Sequence, residues 1–308
     1  MVEGEKITLP SGAVLWFYDE DHSYWRHNPE TGKRGRRLTG VTTVVKPLDY
    51  SPEALMRWAA KTQLKGVAKL YVEAADAEFH QWLVDPDAIW RQLEERNLTY
   101  DQLREEKADE GTRVHEEAFE RLALGKPGID FTDLNEREQG LARAVGAFWL
   151  DHNPLASEVE QVVYSERLGV AGRLDFRGRI RKRCGNHICA CQEIYQEIGL
   201  RHPGVIDLKT GGYISAAAHA QVGGGYPLLG RESGFGGSSW AAILQVAGDG
   251  TYEFFRAEGT AEQFEAAIAA YRAAGEIDRA AGKERKARRI ARETETEIAE
   301  AVEAVSAS

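Results

Sequence analysis

The chain has 308 residues, 43% of them hydrophobic and 29% charged, the balance of an ordinary folded protein rather than a disordered or membrane-embedded one. No apolar run approaches the roughly 20 residues that cross a bilayer, and the acidic start Met1-Val2-Glu3-Gly4-Glu5 is unlike a signal peptide, so the expectation is a cytoplasmic protein with no membrane partner. A net charge of -10 excludes adhesion to nucleic acid by the whole surface and leaves local basic clusters as the places for phosphate contact.

Residues 7–18 and 23–27 alternate as two strands about an Asp19-Glu20-Asp21 turn, which gives an N-terminal β-hairpin region over 1–50. A first basic cluster follows at Lys33, Arg34, Arg36 and Arg37, and then a β-rich stretch over 38–45. Ser51-Pro52-Glu53 starts a helix, with serine as N-cap and proline in the first turn, and Leu55, Trp58, Ala59 and Thr62 recur at core spacing. Asp85-Pro86 opens a second helix. Thr99 and Gln102 form a capping-box pattern for a third, running through His115 to about Leu124. Another begins around Asn135 and ends near Asn153-Pro154, so 51–155 reads as a helical region.

Residues 157–168 and 170–181 read as paired strands across Gly169, with Glu158, Glu160, Val162 and Tyr164 on one face. The second strand carries Asp175 and continues into Arg177, Arg179, Arg181, Lys182 and Arg183, the cluster favoured here for phosphate contact. An insertion over 182–203 holds all three cysteines, Cys184, Cys189 and Cys191, an odd count that does not suggest disulfides. With His187 they could supply four zinc ligands, but the spacing fits no standard zinc module, and reduced thiols in a hairpin insertion are the expectation.

The next strand, around Val205-Ile206-Asp207-Leu208-Lys209, presents Asp207 and Lys209 together, because residues i and i+2 share a face, and turns Ile206 and Leu208 into the core. A helix from about Ser215 carries Gln221 and Tyr226. A hairpin turns around Gly248-Asp249-Gly250, and Thr260 caps a helix leading to a charged segment over 281–308, with Lys283, Arg285, Lys286, Arg288, Arg289 and Arg292.

Strand with Asp175, strand with Asp207-x-Lys209, then helix with Gln221 and Tyr226 is an ordered constellation. Together with Gly111-x-x-x-His115, Glu160 and the 38–44 segment, it resembles the RecB-like branch of the PD-(D/E)xK nuclease superfamily, which includes Cas4-like and phage exonucleases, over residues 38–256. The resemblance implies an α/β fold with a restriction-endonuclease-like core over 156–280, a central mixed sheet flanked by helices. It implies a metal-dependent exonuclease acting on DNA ends in phage or mobile-element recombination, repair or replication, with proteins of those processes as partners. The metal is expected to be Mg²⁺ or Mn²⁺, held by His115, Glu160, Asp175, Asp207 and the Leu208 carbonyl, since hard oxygen donors suit these ions. Lys209 would hold the attacking water or the scissile phosphate, and Gln221 and Tyr226 would orient DNA or water.

The relatives' Gln-x-x-x-Tyr element is one residue longer here, a shift of about 100° around a regular helix. Either Gly223-Gly224-Gly225 distorts the helix and restores the geometry, or Tyr226 is a packed aromatic. The cysteine placement that holds an iron–sulfur cluster in some relatives is absent, so none is expected. No Gly-x-x-x-x-Gly-Lys-Ser/Thr loop is present, which favours a nuclease without a helicase motor. The alternatives are an endonuclease or Cas4-like processing nuclease of the same fold, and a DNA-binding or assembly protein that has lost turnover.

Overall fold

The computed structural model describes residues 4–49, 52–73, 85–126, 128–198 and 201–306. The chain forms a mixed α/β structure around a six-stranded mixed sheet. Its strands are β5 (Thr39–Gly40), β6 (Leu155–Ser165), β7 (Val170–Arg179), β8 (Gly204–Lys209), β9 (Trp240–Val246) and β10 (Tyr252–Arg256). They run in the order β10-β9-β8-β7-β5, with β6 also paired to β7.

β7 is the pivot of this sheet. Antiparallel β6 follows one of its edges from Leu155↔Arg179 to Ser165↔Val170. The other edge is divided: parallel β5 takes Val170 and Ala171, and antiparallel β8 takes Phe176, Arg177 and Gly178. The sheet is therefore slit between those two pairings.

Alternation along β8 builds two cores. Ile206 and Leu208 pack with Phe119, Leu141, Val145, Phe148 and Phe176, while Val205 packs on the opposite face with Val222, Leu229 and Phe264. Phe119, Phe148 and Phe176 are fully buried, each contributing about 1.5–3 kcal/mol by leaving water. Helices α4 (Tyr100–Val114), α5 (Glu136–His152) and α6 (Ala190–Glu197) all contribute buried residues to the first core. The second is closed by α1 (Val41–Val44), α7 (Ala216–His219), α8 (Tyr226–Glu232) and the start of α9 (Ala261–Ser306). Away from the sheet, α2 (Pro52–Glu73) and α3 (Pro86–Glu95) pack on α4 through Leu70, Leu93, Leu98 and Leu103.

Two buried carboxylates seat α4 on α5. Glu138 accepts from Arg113 Nε at 2.6 Å and, closing the α5 capping box, from the Asn135 amide at 2.7 Å. Glu110 accepts from Lys107 at 2.6 Å and Arg137 at 3.0 Å. One glutamate thus both caps a helix and clamps its neighbour.

The N-terminal region differs from the sequence expectation. Residues 7–18 break into β1 (Glu5–Thr8) and β2 (Val14–Tyr18), because Gly12 at φ 85° makes a tight turn and the Leu9 amide bonds Ala13 O at 2.8 Å. With β3 (Ser23–His27) and β4 (Arg34–Arg37) they form a four-stranded sheet, not a hairpin. The 38–45 stretch is strand only at β5; Val41, Val44 and Val45 then bury in the second core from α1 and its C-cap, so packing overrides β propensity. The Ser51 cap and the side chains of Leu55 and Trp58 lie outside the described residues, as do the side chains of Arg288, Arg289 and Arg292. Among the described residues no helix is long and apolar enough to cross a membrane.

Candidate metal centre

The slit gathers the polar residues. β7 and β8 part beyond the Phe176↔Ile206 pair, and the Leu208 amide, facing the gap, donates to Asp175 Oδ2 at 2.8 Å. Glu160 lies opposite Asp175, between the pairs Val159↔Phe176 and Gln161↔Leu174. Its φ of 50° is left-handed, a conformation that costs a non-glycine residue about 1–3 kcal/mol. On β7 the alternation breaks at Asp175, since Leu174 packs in the second core and Phe176 in the first.

His115 enters from the other layer. Its Nε2 lies 3.2 Å from Glu160 Oε1 and 3.3 Å from Asp175 Oδ2, and one ligand atom from each of the three falls within 4.8 Å of the others. His115 Nε2 and Glu160 Oε1 are buried yet make no hydrogen bond, an arrangement that an ion between them would satisfy. Gly111 permits this approach: a Cβ there would stand 2.9 Å from Thr210 Oγ1, beside the end of β8. After Val114 the helix widens into a π turn over His115–Glu120, a feature found often at functional sites.

Asp207 and Lys209 share a face as expected, with Lys209 Nζ 2.6 Å from Asp207 Oδ2. Asp207 is nearly sealed, with 2% of its side chain exposed against 30% for Lys209. It stands outside the His115–Glu160–Asp175 group. Leu208 enters the site through its amide.

Excess negative charge governs protonation here. Burial opposes the His115 imidazolium, but Asp175, Glu160 and Asp207 outweigh it and raise His115 to about 9. Burial, with Asp175 adding, pushes Glu160 up to about 7 and Asp207 up to about 6, against the pull of His115 on both and of Lys209 on Asp207. Burial would raise Asp175 too, yet His115, Lys209 and the Leu208 amide hold it below the ordinary carboxylate range. Burial opposes the Lys209 ammonium, and Asp207 and Asp175 more than offset it.

Gln221 and Tyr226 are joined across the longer spacing. A π turn spans Ala220–Gly225, and Gln221 Nε2 donates to Tyr226 Oη at 2.6 Å. The helix is distorted at the glycines, and Tyr226 is at the same time a packed aromatic, buried in the second core. Gly224 has no room for a side chain, since a Cβ would stand 2.1 Å from Thr260 O at the start of α9. Two clefts flank the pair. One of about 620 Å³ is lined by Arg37, Thr42, Gly172, Arg173 and Tyr226, the other of about 290 Å³ by Thr42, Lys46, Lys209 and Gln221.

The basic cluster favoured for phosphate does not reach these clefts. Arg177 is buried, 2.7 Å from Glu158 and 2.9 Å from Gly237 O, and Arg181 bonds Asn153. The run continues past Gly178, which pairs with Gly204 at the end of β8 opposite Lys209. The first cluster does better, because its Arg37 lines the larger cleft. Arg173, which carries no mark in the sequence, lies 4.0 Å from Glu160 and over the Phe17 ring.

Cys184, Cys189 and Cys191 converge, but not on His187, which is exposed. Their partner is His152, the last residue of α5. No protein-family model matches the chain, and no curated protein matches its sequence.

Proposed function

We propose that this protein is a metal-dependent DNA exonuclease with a restriction-endonuclease-like core. The observation that carries the reading is the convergence of His115, Glu160 and Asp175 where β7 and β8 part, with Asp207 and Lys209 on the adjoining strand end. Hard carboxylate oxygens with one imidazole fit Mg²⁺ or Mn²⁺, and His115 Nε2 and Glu160 Oε1, which face each other at 3.2 Å, are donors such an ion would take up. His115, Glu160 and Asp175 would hold the ion, and Asp207 and the Leu208 carbonyl on the adjoining strand end are the further ligands that the resemblance to RecB-like nucleases implies. When bound, it would polarise the scissile phosphate and favour hydroxide over water.

The chain's own groups perform the rest. Lys209, fixed by Asp207, holds the attacking water or a phosphate oxygen with an ammonium that can approach as a point charge. Gln221, ordered by its bond to Tyr226, stands in the cleft with Lys209 and positions substrate. Arg37, paired with Asp21 at 3.3 Å, lines one cleft and Lys46, with Asp49, lines the other, and these two cations are the groups that would meet the phosphate backbone. DNA ends of the kind that recombination, repair and replication produce are the substrate class.

The test is cleavage of end-labelled linear duplex, linear single-stranded and covalently closed circular DNA, with Mg²⁺, Mn²⁺ or chelator, beside Lys209→Ala. Metal-dependent loss of linear DNA alone, abolished by the substitution, is the expected result. Cutting of the circle would make the protein an endonuclease. Binding without cleavage by folded protein under every metal condition would leave a DNA-binding or assembly role.

A further inference from the structure

We propose that His152, Cys184, Cys189 and Cys191 form a closed structural zinc site that fastens the segment between β7 and β8 to the end of α5. The four donor atoms lie within 4.8 Å of one another. Cys184 Sγ is 3.7 Å from Cys191 Sγ, and Cys189 Sγ is 3.7 Å from His152 Nε2. Four ligands on one tetrahedral zinc at ordinary bond lengths stand about 3.6–3.8 Å apart. An iron–sulfur cluster spreads its four protein ligands over two or four irons, with sulfides between, so the set as a whole needs a wider spread. A disulfide would use two of the sulfurs and leave a thiol and a histidine facing each other without purpose.

The surroundings are built for the purpose. His152 and Cys191 are fully buried, Cys189 is 5% exposed and Cys184 is half-buried; with four protein ligands in the set, no position is left for substrate. Tyr252 donates its hydroxyl proton to Asp151 at 2.6 Å, so that hydroxyl, 3.2 Å from His152 Nε2, has no proton to spend there. His152 Nε2 faces Cys189 Sγ at 3.7 Å, and a zinc ion would take its lone pair with the imidazole proton carried on Nδ1. The approach of the cysteine segment is fixed by backbone: the Arg181 and Lys182 amides both donate to His152 O, at 2.9 and 3.0 Å. Gln192 Nε2 then closes the loop onto Cys184 O at 2.7 Å.

Soft thiolates and an imidazole select zinc over the hard ions suited to the carboxylate centre. The consequence is mechanical. The clamped segment leads into Gly204, where the strand carrying Asp207 and Lys209 begins, so the site anchors one end of that strand without touching its chemistry.

The test is metal content and thiol count of the full chain purified from zinc-supplemented culture. One equivalent of zinc is expected, with none of the three cysteines reacting with a thiol reagent until a chelator is added. Replacement by Co²⁺ should give the intense visible and thiolate charge-transfer bands of a tetrahedral sulfur-rich site. His152→Ala and Cys191→Ser should lose the zinc, while His187→Ala and Asp207→Asn keep it, which separates this site from the nuclease reading. Where a ligand variant fails to fold, thiol protection and the Co²⁺ spectrum of the wild type decide. Three freely reactive thiols without stoichiometric metal, iron with acid-labile sulfide, or zinc lost from His187→Ala but kept in His152→Ala would each overturn the proposal.

Discussion

Two clusters of ligand-type side chains stand at opposite ends of one strand and differ in every property that matters to a metal. At the Lys209 end of β8, His115, Glu160 and Asp175 keep 20%, 24% and 17% of their side chains exposed, and Lys209 itself lines a cleft. Near the Gly204 end, His152 and Cys191 are sealed completely. The first set is oxygen-rich and distorted at Glu160; the second is sulfur-rich, with His152 ending α5 and Cys189 and Cys191 at the start of α6. Chemistry on a phosphodiester needs exchangeable positions and tolerates strain. A clamp needs neither, so ligand softness and exposure separate two roles within one sheet.

The comparison breaks most readily at Lys209. Lys209→Ala is expected to slow DNA cleavage by about 10²–10⁴-fold, with far-UV circular dichroism and zinc content unchanged. Initial rates on end-labelled duplex measure it, and undiminished cleavage would reduce Lys209 to a partner for Asp207. Exchanging the histidines sharpens the contrast next. His115→Ala should weaken Mn²⁺ binding beyond the roughly 10-fold that even an outer-shell partner can carry, leaving zinc in place, and His152→Ala should do the reverse. Titration calorimetry with Mn²⁺ and elemental analysis report the two losses, and a variant that loses both ions would show that the centres are not independent.

Proton linkage distinguishes them further. His115, Glu160 and Asp207, at about 9, 7 and 6, lie above their ordinary values of 6.5, 4.5 and 3.8. The metal-free native state therefore holds more protons than the unfolded chain. The His115 contribution is complete below 6.5 and lost as pH rises through about 9, and the two carboxylates become increasingly costly between their ordinary and raised values. A divalent ion competes with these protons, so its affinity rises across the same window, and at about 100 times its Kd it should add about 2.7 kcal/mol of stability. Denaturant unfolding across that range, with and without Mn²⁺, checks this; a metal effect independent of pH would detach His115 from the ion. A smaller effect comes from the scaffold. Glu138→Gln should cost about 1–3 kcal/mol, less than a fully buried pair because Arg113 is 43% exposed, and it should loosen Mn²⁺ binding through the His115 helix.

Much of this was legible where chemistry follows from local sequence. Capping residues placed the starts of the helices at Thr99 and Asn135, period-two alternation placed Asp207 with Lys209, and the glycine triplet announced the distortion that joins Gln221 to Tyr226. Long-range pairing was not legible. His152 lies 37 residues from Cys189, and nothing local marks a helix C-terminus as a thiol's neighbour. Glu110 and Glu138 carry no local mark of burial, which comes only where two helices meet. The slit in β7's edge arises from a choice among partners, and Glu160's left-handed turn carries no residue signature.

The finest distinction between the two ends of β8 rests on one hydroxyl. Tyr226 is 4% exposed and touches no ligand of the sulfur cluster, but its oxygen accepts from Gln221 beside Lys209. Tyr226→Phe keeps the ring and removes the acceptor, so the buried Gln221 amide loses its partner at a cost of about 1–3 kcal/mol. Were the pair only packing, the variant would melt lower and cleave normally when folded. Because Gln221 lines the cleft that holds Lys209, its freed amide should instead let bound DNA shift, raising KM and lowering kcat at temperatures where the fold is intact. Zinc content should not move. Unaltered kinetics in folded Tyr226→Phe would confine the pair to structure and leave substrate positioning to Lys209 and the basic residues of the two clefts.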